Sequence, residues 1–342
     1  MRRFVLDLQD RRPVWSMPSW VGERVRRALG PTWEVIEIET PSDGSGDGAG
    51  VATPAVLEAV RAAEIYAGYG IPDDVLDAGA GLRWVHSGAA GVGGSLRGRL
   101  LERDVLFTNS AGVHAVPMAE TVLAYLLFFA RGLDLARRGQ GSRAWVAETF
   151  YAADTPVREL GQSTVAIIGF GGIGQEVARK LRALGARVRA VRRRHLPSPV
   201  EGVEVRVGRE GLLWAVEGAD FVVLSAPATD ETRGAFDDAF FDQLQRGAVL
   251  VNVARGSLLE PEALLRALAT GRLRGAALDV FATEPLPAGD PLWAREDVLV
   301  TPHVSAVTRG FWERETTLIE ANVGRYLRGE PLLNLVDKRA GY

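Results

Sequence analysis

Residues 165–174 read Val165-Ala166-Ile167-Ile168-Gly169-Phe170-Gly171-Gly172-Ile173-Gly174. An uncharged apolar run enters G-x-G-x-x-G and leaves into a segment with helical periodicity. That order dictates a buried strand, a tight glycine turn and a helix returning along the sheet. Gly169 permits the turn, Gly171 lets backbone approach a pyrophosphate, and Gly174 lets the helix sit close to its strand. The helix N-terminus, with Gly172 and Ile173 in its first turn, offers free N–H groups and partial positive charge to phosphates. An acid at the end of the next strand would take the ribose 2′-hydroxyl of NAD. Instead Arg192, 18 positions after Gly174, stands there, followed by Arg193 and Arg194. Guanidinium groups suit a 2′-phosphate, so NADP(H) is the expected cofactor, with NAD(H) the weaker fit.

Strand and helix signals alternate along the rest of the chain, which predicts α/β architecture with parallel sheets. Strands are expected at Phe4–Leu8, Glu34–Ile38, Ile65–Ala67, Arg83–His86 and Val105–Thr108. Helices are expected between them at Trp20–Leu29, Pro54–Arg61 and Asp73–Ala78. Asp43 to Gly50, alternating glycine with small polar residues, reads as a flexible surface loop. One long helix is expected over about Pro117–Arg138, apolar on most faces and so buried or in an interface. Further strands are expected at Val165–Ile168, Arg187–Val191, Phe221–Ser225, Ala248–Asn252, Gly275–Asp279 and Val298–Thr301, before a last helix over Trp312–Leu327. The fingerprint sits in mid-chain. The expectation is therefore two Rossmann-like or flavodoxin-like domains: a dinucleotide-binding domain, 111–305, inserted into a discontinuous substrate domain, 1–110 and 306–342. An active site is expected in the cleft between them.

A chain of 342 residues, 47% apolar and 24% charged, can bury two ordinary cores. The net charge of −3 argues against nucleic-acid or membrane-surface partners. Cysteine is absent, which removes disulfides, thiolate metal sites and a cysteine nucleophile; no metal is expected. Met1–Asp7 meets an acid before an apolar core could form, so no signal peptide is expected. The longest apolar run, Val122–Ala130, is too short to span a bilayer, and a cytoplasmic location is expected. Of 40 basic residues only Lys180 and Lys338 are lysines, so each arginine has to be argued from its position.

Three segments follow late strands: Asn252-Val253-Ala254-Arg255-Gly256, Asp279-Val280-Phe281-Ala282-Thr283-Glu284-Pro285 and Thr301-Pro302-His303-Val304-Ser305. Ligands of open α/β sheets bind at strand carboxyl ends, so Arg255, Glu284 and His303 are expected at one edge. Carbonyl reduction needs a hydride donor, a proton donor at the forming alkoxide and a clamp on the substrate. Histidine titrates nearest neutrality, which makes His303 the proton-donor candidate. Glu284 is placed to accept from its other ring nitrogen and stabilise the protonated ring. Arg255 offers a permanently charged planar fork to a carboxylate or keto oxygen.

With these residues the chain resembles the D-isomer-specific 2-hydroxyacid dehydrogenase family, and within it the glyoxylate/hydroxypyruvate reductase A type. The resemblance runs from Trp84 to Tyr342. It rests on Ala89-Ala90-Gly91-Val92, on Thr108-Asn109-Ser110-Ala111-Gly112-Val113 with Ala119-Glu120, and on the fingerprint. Pro227 with Thr232 and Arg233 and the ending Val336-Asp337-Lys338-Arg339-Ala340-Gly341-Tyr342 match as well. So do the spacings of 29 residues from Arg255 to Glu284 and 19 from there to His303. The resemblance implies reduction of a small 2-keto acid, such as glyoxylate or hydroxypyruvate, to the D-2-hydroxy acid. It implies that the amides of Ala90 and Gly91 hold the substrate carboxylate, as a Gly-rich turn can do. Pro227, Thr232, Val253, Asp279, His303 and Ser305 are implied to join the fingerprint and Arg192–Arg193 in holding the cofactor. A homodimer through the 117–138 helix and the following arm is implied, with Trp145 as the residue that reaches the partner's pocket.

Many relatives carry Asp where this chain has Gly93. Trp15, Met17, His86, Trp145 and Trp293 are further candidates for shaping the pocket. Formate dehydrogenases carry Gln at the position of Glu284, which argues against formate. Many phosphoglycerate dehydrogenases carry a C-terminal regulatory domain for which this chain has no room. Another 2-hydroxy acid, lactate-like or branched, and a redox-sensing protein that binds NAD(P) without fast turnover stay open as alternatives.

Overall fold

The computed structural model describes residues 1–41, 52–339 and 341. The predicted loop at Asp43–Gly50 lies outside the described residues, as do Ala340 and Tyr342 of the C-terminal motif. The chain divides into one unit made of Met1–His114 with Val307–Tyr342, and a second made of Ala115–Ala306.

The first unit holds five parallel strands: β1 (Arg2–Asp7), β2 (Trp33–Glu37), β3 (Ile65–Gly68), β4 (Trp84–Ser87) and β5 (Leu106–Asn109). Their order is β2-β1-β3-β4-β5, the flavodoxin-like arrangement, with the reversal between β1 and β3. The strands alternate between two buried faces. Phe4, Leu6 and Trp84 pack with Phe311, Ile319 and Val323 of the helix Phe311–Arg328. Val5, Tyr66, Val85 and Phe107 pack with Val56 and Leu76 on the other side. Burial on both faces lets apolar residues follow one another, as in Phe4-Val5-Leu6 of β1, rather than alternate with polar ones.

The second unit holds seven: β6 (Thr164–Ile168), β7 (Arg187–Arg192), β8 (Glu204–Val207), β9 (Phe221–Leu224), β10 (Ala248–Asn252), β11 (Leu273–Leu278) and β12 (Val298–Val300). All are parallel, in the order β12-β11-β10-β9-β6-β7-β8. The order reverses at β6/β9, where a doubly wound sheet opens its ligand crevice. Edge strand β8 was not predicted. Its sequence, Glu204-Val205-Arg206-Val207, is half charged, as edge strands that resist stray pairing tend to be.

The single helix predicted over 117–138 is two helices, Ala115–Ala130 and Leu133–Ser142, bent by 66°. The break falls at Gly132, whose φ of 66° is left-handed and whose missing Cβ would lie 2.9 Å from Phe150 and Val157. Arg274 stabilises the break: it donates to the terminal carbonyl of Phe129 (2.6 Å) and to the buried Asp134 (2.9 Å). Among the described residues no single helix is long and apolar enough to cross a membrane.

Candidate active site

The fingerprint turn leaves β6 at the switch point. Gly169 has φ 98°, and a Cβ there would lie 2.4 Å from Ala226 N. A Cβ on Gly174 would lie 2.3 Å from Gly169 O, so helix and strand meet without room for a methyl group. Gly171 caps the helix Gly172–Ala183, and nothing lies within 4 Å of where its Cβ would stand. The turn is therefore tight on its protein side and open on its outer side, which fits a phosphate cradle at a helix N-terminus. Ile173 is half-buried in the first helical turn. Ser225, just past β9, donates to Gly169 O at 2.7 Å and locks the two switch-point strands together.

Arg192 ends β7. Its Nη2 donates to the carbonyls of Leu196 and Pro197, which holds the guanidinium over its own loop, while Arg193 and Arg194 are exposed. The loop after β9 is knotted by Thr232, whose Oγ1 donates to Pro227 O (2.8 Å) and accepts from Thr229 N (2.8 Å).

Arg255 follows β10. Asn252 fixes that turn, accepting from Ala254 N (3.0 Å) and donating to Arg255 O (3.1 Å). Arg255 itself donates from Nη1 to Ala254 O at 2.7 Å. A Cβ on Gly256 would stand 1.9 Å from the carbonyl carbon of Phe281, so the loops after β10 and β11 touch backbone to backbone. That contact carries Arg255 alongside the Asp279–Glu284 segment.

Glu284 bridges the next two loops. Its Oε2 lies 2.7 Å from His303 Nδ1, and its Oε1 accepts from Phe281 N at 2.9 Å. The His303 side chain is 48% exposed and Glu284 35%, so the pair lies open on one side. His303 has φ 54°, a left-handed conformation that a non-glycine residue holds only when its surroundings impose it. Asp279 imposes it. Its carbonyl accepts from His303 N (2.8 Å), and its buried carboxylate accepts from Thr301 Oγ1 (2.6 Å), Val304 N (2.9 Å) and Ser305 N (2.9 Å). Thr301 is also hydrogen-bonded to Tyr125 OH. Burial pushes that phenol up to about 12, so it stays protonated at neutral pH. Val253, Asp279 and Ser305 are all buried beneath this edge.

Position, not composition, identifies the supporting residues that sequence reasoning passed over. Asn252, Ser225 and Thr301 act through their side chains and Gly256 through the absence of one, each at or within a few residues of a strand's carboxyl end.

In the first unit, β4 runs into Gly88-Ala89-Ala90-Gly91. Ala90 is exposed and Gly91 half-buried, and neither amide donates to a protein acceptor among the described residues. The turn is held from behind: Asn109 Nδ2 donates to Ala90 O (2.8 Å), and Ala89 N donates to Ser87 Oγ (3.2 Å). Adjacent amides on a braced turn of this kind can serve as an anion nest. Position 93 has open space around it.

The model for "D-isomer specific 2-hydroxyacid dehydrogenase, NAD binding domain" matches residues 123–305. Glyoxylate/hydroxypyruvate reductase A from Serratia proteamaculans is 34% identical over 228 residues, covering 67% of this chain and 69% of that protein. A D-isomer specific 2-hydroxyacid dehydrogenase from Xanthobacter autotrophicus Py2, solved in complex with NADPH and MES, superposes with a TM-score of 0.79 at 30% identity, covering 100% of this chain and 99% of that one. An NADPH-dependent glyoxylate/hydroxypyruvate reductase from Sinorhizobium meliloti, solved with NADP and sulfate, gives 0.78 at 29% identity, with 100% of each chain covered.

Proposed function

The chain belongs to the D-isomer-specific 2-hydroxyacid dehydrogenase family and is an NAD(P)-dependent oxidoreductase; from that premise we propose that it reduces a small 2-keto acid, glyoxylate or hydroxypyruvate, to the D-2-hydroxy acid with NADPH. The observation that carries the reading is the Glu284–His303 pair at 2.7 Å, seated at the carboxyl edge of the sheet that bears the fingerprint. Chiral analysis of the product from hydroxypyruvate and NADPH tests it. The D-hydroxy acid is expected; the L-isomer would contradict the assignment.

The geometry supports the roles proposed for the site residues. The second unit binds the dinucleotide, with Gly169, Gly171, Gly172, Ile173 and Gly174 at the pyrophosphate. Pro227, Thr232, Val253, Asp279 and Ser305 shape the rest of its site. When bound, the reduced nicotinamide supplies hydride to the carbonyl carbon. His303 gives its Nε2 proton to the substrate oxygen while Nδ1 stays on Glu284, which fixes the ring and stabilises the charged form. Arg255 and the amides of Ala90 and Gly91 hold the substrate carboxylate.

Arg192 is the proposed 2′-phosphate ligand. Arg192→Asp is expected to raise the NADPH KM by about tenfold or more and to improve NADH, because it exchanges a charge-assisted bond for like-charge repulsion. Unchanged NADPH kinetics would move the phosphate contact elsewhere.

The two helices Ala115–Ala130 and Leu133–Ser142 and the following arm are the proposed homodimer interface. Trp145 is 95% exposed and Tyr151 78%, an uncommon fate for large aromatics on an isolated surface. Trp145 is the arm residue proposed to reach the partner's pocket. Light scattering should return twice the mass of one chain; a monomer would remove the interface.

A further inference from the structure

Beneath the Ala89–Gly91 turn lies a polar cluster that the roles above do not use. His86 on β4, Thr108 on β5, Ser110 just past β5 and Glu315 on the helix Phe311–Arg328 are all 0% exposed. His86 is held at both ring nitrogens, with Nδ1 2.8 Å from Thr108 Oγ1 and Nε2 2.8 Å from Glu315 Oε1. Ser110 Oγ lies 3.0 Å from Glu315 Oε1 and 2.9 Å from the Ser87 carbonyl, with one proton to give between them. From Ser110 and Ser87 the connections run straight into the nest. Ser110 N donates to Ala89 O (3.3 Å), and Ser87 Oγ accepts from Ala89 N (3.2 Å).

Stability does not account for this cluster. Desolvating a carboxyl–imidazole pair costs about what its contact returns, and apolar residues of the same volume would do as well. Glu315 Oε2 is moreover buried with no hydrogen-bond partner among the described residues, which is a further cost. What the cluster supplies is directional constraint at one place. It joins β4, the residue after β5 and the C-terminal helix immediately behind the turn that carries the Ala90 and Gly91 amides, whose usefulness as donors depends on their direction.

We propose that His86, Glu315 and Ser110 are positioning residues that aim the Ala90 and Gly91 amides at the substrate carboxylate. The proposal rests on the reading that those amides bind it. A carboxylate is held alike in the ground state and the transition state. Loss of aim therefore appears in KM more than in kcat.

The experiment compares Ser110→Ala with Tyr66→Phe. The second variant removes a buried hydrogen bond to Asp7 (2.7 Å) in the same sheet but has no bond to the nest. Both should lower the thermal midpoint by similar amounts. Only Ser110→Ala should raise the hydroxypyruvate KM, by about tenfold, with kcat within about twofold and NADPH affinity unchanged. Glu315→Gln, which keeps the side-chain shape, should move KM in the same direction and serves if Ser110→Ala does not fold. An unchanged KM in folded Ser110→Ala or Glu315→Gln, or an equal rise in Tyr66→Phe, overturns the positioning role. Wild-type protein that neither binds nor turns over hydroxypyruvate overturns the functional reading, and this one with it.

Discussion

His303→Ala is expected to lower kcat for keto-acid reduction by roughly 10²–10⁴-fold, the usual cost of removing a general acid. The turn that presents residue 303 is built from backbone. Asp279 accepts from the amides of residues 303, 304 and 305 through its carbonyl and carboxylate, and these bonds do not need the imidazole. Truncation should therefore remove the proton donor and leave the edge of the sheet in place. Because φ at this position is 54°, alanine adds strain that asparagine tolerates better. His303→Asn is the companion variant, and it should be as slow as His303→Ala while melting closer to wild type. Steady-state NADPH oxidation with hydroxypyruvate checks both. Turnover near the wild-type rate in either variant would remove His303 from the chemistry.

Arg255→Gln is expected to cost about 10²–10⁴-fold in kcat/KM. A bidentate guanidinium–carboxylate contact comprises two charge-assisted bonds, each worth roughly 1.5–3 kcal/mol. The neighbouring backbone should survive the loss of the Arg255 Nη1 bond to Ala254 O, since Asn252 and the close approach of Gly256 to Phe281 also hold the turn. Arg255→Lys should recover little, because an ammonium cannot reproduce the planar fork. The kinetic pattern to look for is a raised keto-acid KM with kcat changed far less, and NADPH binding that is retained. Equal activity in the Lys variant would mean that charge alone suffices at this position.

Much of this was legible in the chain because the strands are buried on both faces and the chemistry stands at their ends. The fingerprint declares strand, turn and helix in ten consecutive residues. Arg255, Glu284 and His303 declare themselves by following strands. Three things were hidden. Strand β8 carries too much charge to read as a strand. The bend at Gly132 depends on Phe150, Val157 and Arg274, none of which is near it in a helical window. The cluster behind the Ala89–Gly91 turn joins His86 to Glu315 across 229 residues, a pairing that no local pattern announces. Propensity and periodicity report what neighbours in sequence do, whereas these features come from tertiary partners.

The central claim is NADPH-dependent turnover of a small 2-keto acid. Absorbance at the reduced-nicotinamide band, followed with purified protein, glyoxylate or hydroxypyruvate, and NADPH or NADH, tests it most directly. The account predicts rapid multiple turnover with NADPH and slower turnover with NADH. NADPH that binds tightly and is not consumed with either keto acid would contradict it.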